Sequence, residues 1–222
     1  MGRETLPPKT SNEELLSQYD EIMNAGARTD GGESLSCEGN IAHECVQESV
    51  NEVYDILGTG RDDWVMIGGI PTQLLFLHEM PGDDDELMRR FGRRTTNDFD
   101  IITTSPGEIR SEFRDAGYGE GEKRLDADIF GTGFMAEANR VIENGRYIDV
   151  EGYGIDAEIR VPTATDFLYT KVHDDYSRES EGTSMDAEAL LESDRFAFDN
   201  QRLRSLLGGN QEAWEYLEEL EY

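Results

Sequence analysis

The chain has 222 residues, in which 49 Asp+Glu stand against 20 Lys+Arg for a formal net charge of -29. That length accommodates one compact core with a helical appendage, and a hydrophobic content of 36% with nine Tyr and nine Phe fits a folded protein rather than an acidic disordered tail. No run approaches the roughly 18 apolar residues of a membrane span, and the opening MGRETLPPKTSNEE has no apolar signal core, so neither membrane insertion nor ordinary secretion is expected.

The first predicted element is a helix in NEELLSQYDEIM, introduced by Ser11 and Glu14 in capping-box spacing. Residues 26–38 read as a linker. A second helix is expected from about Ile41 to Leu57, with Val46, Val50, Val53 and Ile56 as its apolar stripe and Gly58 and Gly60 at its end. Cys37 and Cys45 are the only cysteines. With His43 they lack a fourth ligand and a zinc-ribbon spacing, so two ordinary thiols are expected. WVMI then predicts a short buried strand, halted by Gly68-Gly69, and IPTQLLFLHEM returns to helical periodicity. Residues 81–96 read as an acidic-then-basic loop with at most one helical turn. DFDIITT is a strand and PGEIRSEFRDAG a helix with Pro106 in its first turn. KRLDADIF is the next strand, residues 133–144 are weakly helical, and RYIDVEGYGIDAEIRV reads as a hairpin broken around Gly152 and Gly154. Helices are expected over residues 163–176, 184–207 and 210–220. The fold class is therefore α/β or α+β: a small mixed sheet with helices, followed by a carboxy-terminal helical region.

Lys9, Lys123 and Lys171 are the only lysines, leaving arginine for the other 17 of the 20 basic residues. Acidic residues are spread along the chain rather than gathered in one tail. Such a surface repels itself in dilute buffer and is screened in concentrated salt, which points to a salt-adapted cytoplasmic protein with the composition of halophilic archaeal proteins. A broad non-specific nucleic-acid surface is disfavoured.

Chemistry enters at NDFDII. Alternate residues of a strand face the same way, so Asp98 and Asp100 share one side while Phe99 and Ile101 take the other. Two such charges held close call for a cation, and carboxylate oxygens are natural ligands of Mg²⁺, which usually also holds substrate phosphates. Gly68-Gly69 lies where a phosphate can approach backbone N–H groups at a helix start. A third carboxylate from KRLDADIF would let two divalent ions flank a transferring phosphoryl group. Asp128 is favoured, with Asp126 next and Asp149 of RYIDV third. Lys171, within a helical stretch that also carries Phe167, Leu168 and Val172, stands out because lysine is scarce; a snorkelling surface lysine is the alternative. His78 and His173 are left outside the site.

MIGGIPTQLLFLH followed by RRTTNDFDII resembles the signature of the polymerase-beta-like nucleotidyltransferase superfamily, in which a strand, a Gly-Gly or Gly-Ser turn and a helix precede a strand bearing Asp-x-Asp. Arg94, Thr96, Asp98 and Asp100 match the wording of its small stand-alone members. VPTATDFLYTKVHDDYSR is similar to a segment of abortive-infection-type nucleotidyltransferases, with Lys171, Arg178, Asp186 and Leu190 at corresponding places. The likeness spans roughly residues 62–191. The stretch between Gly69 and Asp98 is longer than the family's usual spacing, and Gly182 and Thr183 replace a basic and an acidic residue.

The expected organisation is an amino-terminal helical segment (1–60), for which the resemblance does not account, a nucleotidyltransferase-like core (61–162) and a carboxy-terminal helical region (163–222). The resemblance implies two Mg²⁺ held by Asp98, Asp100 and Asp128. Gly68, Gly69, Arg94, Thr96, Lys171 and Arg178 would bind a nucleoside triphosphate, with Lys171 facing its phosphates. A nucleoside monophosphate would pass to a hydroxyl on RNA, protein or a small molecule. The alternative is an inactive, regulatory homologue of toxin–antitoxin type with a cognate partner.

Overall fold

The computed structural model describes residues 40–58, 60–82, 84–92, 96, 98–118, 126–173, 178 and 181–220, the side chains of Asp84, Met88, Asp126 and Glu181 excepted. The expected helix in NEELLSQYDEIM, the linker, Cys37, Arg93, Arg94 and Lys123 lie outside these residues. The fold is mixed α/β, as its alternating periodicities predict.

Helix α1 (Glu44–Leu57) buries Val46, Val50, Val53 and Leu57 along one stripe and ends at Gly58, whose φ of 65° lets its N–H reach the carbonyl of Tyr54. Just ahead of α1, Asn40 accepts from the Ala42 N–H and donates to the carbonyl of Phe91, while the Ile41 N–H donates to the fully buried Gln73 side chain. Cys45 is disulfide-bonded, which corrects the expectation of two ordinary thiols. Residues 41–43 form a turn immediately before the helix, with the His43 N–H donating to the Asn40 carbonyl at 3.0 Å.

Strand β1 (Trp64–Ile67) is buried on both faces and runs through Gly68 into α2 (Gly69–Glu79). Residues 69–77 of α2 are all buried, as expected of a helix apolar on every side. Helix α3 (Asp84–Phe91) replaces the loop expected there. Its signal was local: Leu87 and Phe91 are both buried at i,i+4 spacing, and Glu86 pairs with Arg89 and Arg90 at 2.7 and 2.6 Å. Hydrogen bonds, first from Arg89 and then from Arg90, hold the Glu86 carboxyl at about 2, against the opposing effect of burial.

Strand β2 (Asp98–Thr103) pairs antiparallel with β1 and parallel with β3 (Asp126–Gly131), and α4 (Pro106–Asp115) makes the crossover between β2 and β3. A short helix α5 (Ala138–Glu143) leads into β4 (Arg146–Gly152) and β5 (Ile155–Val161), a separate antiparallel pair. The carboxy-terminal helices are α6 (Ala164–Val172), α7 (Glu181–Glu192), α8 (Asn200–Leu207) and α9 (Gln211–Leu220). The single helix expected over 184–207 is thus two. Asp199 accounts for the restart: its side chain accepts from the Arg202 N–H and caps α8. Among the described residues no helix is long and apolar enough to cross a membrane.

The three-stranded sheet separates two cores. Trp64, Met66, Phe99, Ile101 and Ile129 face one, shared with α1, α2, α4 and the β4–β5 hairpin. Val65, Ile67 and Ile102 face the other, shared with α5 and the carboxy-terminal helices. That division matters for the site. By strand alternation Asp98, Asp100 and Asp128 lie on the second face, at the end where Asp98 and Asp100 are only half-buried and Asp128 is exposed.

Candidate metal centre

The register of the parallel pair sets Asp100 opposite Asp128, and β1 brings Ile67 opposite Asp100 on the other side. One carboxylate oxygen from each of Asp98, Asp100 and Asp128 lies within 4.8 Å of the others. This oxygen-only set suits a hard divalent cation such as Mg²⁺ or Mn²⁺ and disfavours a soft metal. Asp98 is oriented from its own strand entry: the buried Thr96 hydroxyl lies 3.3 Å from its carboxylate and 3.4 Å from its carbonyl. Thr96 therefore positions a carboxylate, whereas it was expected at the nucleotide.

Asp100 packs against the Gly68 turn. Gly68 has φ 91°, and a Cβ built there would stand 2.2 Å from Asp100 Oδ2. Glycine is required twice over, by the backbone conformation and by the approach of the carboxylate. The Thr72 hydroxyl donates to the Gly68 carbonyl at 2.8 Å and fixes the turn. Gly69 opens α2, so the carboxylate lies beside the helix's positive end. Gly68→Ala is expected to displace Asp100, abolish the metal-dependent rise in thermal midpoint and cost about 1–3 kcal/mol. Gly107→Ala, in the first turn of α4 with nothing within 4 Å of the added methyl, is the control that leaves both unchanged or slightly improved. A metal response retained in Gly68→Ala would refute the close-packing argument.

The other candidates are Asp126, Asp149, Lys171 and Arg178. Asp126 pairs through its backbone with Asp98, its side chain being outside the description. Asp149 is exposed on β4, in the two-stranded sheet, with its carbonyl 2.7 Å from His78 Nδ1. Lys171, expected to face phosphate, is 4% exposed and its ammonium donates to Asp186 Oδ2 at 2.6 Å, with Asp186 fully buried. The charge is committed inside the helical region. Arg178, expected at the nucleotide, lies just beyond the end of α6. Its guanidinium donates to the Val172 carbonyl at 2.9 Å and to Glu212 at 3.2 Å, joining the end of α6 to α9.

Phe130 and Phe134 are candidates that no motif in the sequence singles out. Phe130 follows Asp128 by two residues and so shares its strand face. It stacks on Phe134, with ring centroids 4.1 Å apart and planes 27° from parallel. The available signal was an aromatic in the glycine-rich turn GTGFM, a place where a core residue is not expected.

No protein-family model matches the chain, and no curated protein sequence matches it.

Proposed function

We propose that the chain is a metal-dependent nucleotidyltransferase that moves a nucleoside monophosphate from a nucleoside triphosphate to an acceptor hydroxyl, releasing pyrophosphate. The observation that carries this reading is the convergence of Asp98, Asp100 and Asp128 within 4.8 Å on two parallel strands. The order of strand, Gly-Gly turn, helix and Asp-x-Asp strand supports it. Divalent ions bound there would stabilise charge on the attacking and leaving oxygens. The chain's own part is placement. Thr96 orients Asp98, the Gly68 turn holds Asp100 in register, and the exposed Asp128 closes the set from the neighbouring strand. Fixing the carboxylates before substrate arrives lowers the reorganisation needed in the transition state.

The reading predicts label transfer when the full chain is incubated in molar KCl with Mg²⁺, each α-labelled nucleoside triphosphate, and total RNA and protein as acceptors. Labelled product identifies base and acceptor together, and absence of product with every triphosphate overturns the reading. The commitment of Lys171 and Arg178 to Asp186, Val172 and Glu212 favours a second reading, an inactive homologue that acts by binding a regulatory partner. Metal binding without transfer is its signature.

A further inference from the structure

We infer that Phe130 and Phe134 form a stacking platform for the base of the nucleotide held at the carboxylate cluster; this rests on the nucleotidyltransferase reading above. Phe134 is 45% exposed and is the only exposed large hydrophobic among the described residues. In a chain of net charge -29 such a ring is out of keeping with its surface. Among the described residues neither it nor Phe130 is a member of either core cluster, and the two rings stack on each other.

The chain builds this arrangement deliberately. A turn closed by the Phe134 N–H donating to the Gly131 carbonyl at 3.0 Å folds the segment back over the end of β3. The next residue, Met135, is 5% exposed and fills the core. The turn is thereby anchored by Met135, while Phe134 is left standing over Phe130. Two near-parallel rings present a flat apolar face, and a third planar ring extends the stack.

Position identifies the ring. Phe130 and Asp128 are two residues apart on one strand face, about 6.5 Å along the strand, a separation of the kind a ribose spans between phosphate and base. A protein partner fits the patch poorly. A stable interface needs about 800 Å² from each side, whereas a whole aromatic side chain buries only about 150–250 Å². Phe134 is also the single exposed large hydrophobic among the described residues. A small planar ligand tethered at the carboxylates accounts for both its size and its place.

The test compares binding of the four α,β-methylene nucleoside triphosphates with binding of inorganic tripolyphosphate, by calorimetry in Mg²⁺ and molar KCl, using the full chain. Phe134→Ala and Phe134→Leu are expected to weaken the nucleotide analogues roughly tenfold and leave tripolyphosphate unchanged. Phe134→Trp should restore binding, because planarity rather than apolar bulk is required. Unchanged nucleotide affinity in Phe134→Ala overturns the platform while leaving the nucleotidyltransferase reading intact. Equal weakening of nucleotide and tripolyphosphate also overturns it, since Phe134 would then act through the phosphate site. A change confined to sedimentation behaviour assigns the ring to self-association and overturns it as well. Failure of the wild type to bind any of these probes overturns the nucleotidyltransferase reading and the platform together.

Discussion

Replacing Asp100 by Asn is expected to abolish the stabilisation that Mg²⁺ or Mn²⁺ confers on the folded chain. A ligand that binds only the native state at 100 times its dissociation constant adds about 2.7 kcal/mol. For a chain of this size that is a rise of about 5–10 °C in thermal midpoint. Asn keeps the shape of Asp but replaces one charged oxygen ligand by a neutral amide. Asp100 is the middle carboxylate of the set, with Asp98 two residues away on its own strand and Asp128 directly opposite. Its loss therefore removes charge from the centre of the cluster. Asp128→Asn should lose the metal response in the same way, and Asp149→Asn, on the separate hairpin, should retain it. Thermal melts of the variants with and without divalent ion, at constant KCl, give the answer. A full metal response in Asp100→Asn would sink the assignment of this cluster as a metal centre.

The carboxylate cluster was legible because its geometry is local. A period of two along NDFDII and DADIF fixes which side chains share a face, and a parallel register then sets Asp100 against Asp128. The Gly68-Gly69 turn was equally plain, since strand and helix periodicities meet there. The reason for Gly68 was not visible, because the approaching group, Asp100, is 32 residues later in the chain. Helix α3 was hidden by its polarity, although its buried Leu87 and Phe91 and its Glu86–Arg90 pair are the marks of a short amphipathic helix. Lys171 shows the opposite failure. Its rarity drew attention correctly, but which group meets a buried ammonium is decided by how α6 packs on α7, a tertiary fact. Phe134 was overlooked because loop aromatics carry no periodicity from which to read a face.

The buried pair in that helical region sets the second large expectation, a loss of about 3–5 kcal/mol in unfolding free energy for Lys171→Met. Asp186 is fully buried, and removing its ammonium partner leaves a desolvated carboxylate without the cation 2.6 Å away. Asp186→Leu should cost a similar amount by stranding Lys171. The double variant Lys171→Met/Asp186→Leu, which removes both charges, should recover most of the loss or exceed the wild type, because burying a pair of ions costs about as much as their attraction returns. Chemical denaturation of the four proteins in constant salt measures the coupling directly. The same series separates two roles for Lys171. A lysine that held phosphate would lower nucleotide affinity on substitution while leaving stability nearly intact. A lysine committed to Asp186 lowers stability first, and the charge-free double variant then binds Mg²⁺ and nucleotide as the wild type does. Additive losses in the double variant would refute the coupling, and a double variant that is stable but blind to nucleotide would return Lys171 to the site.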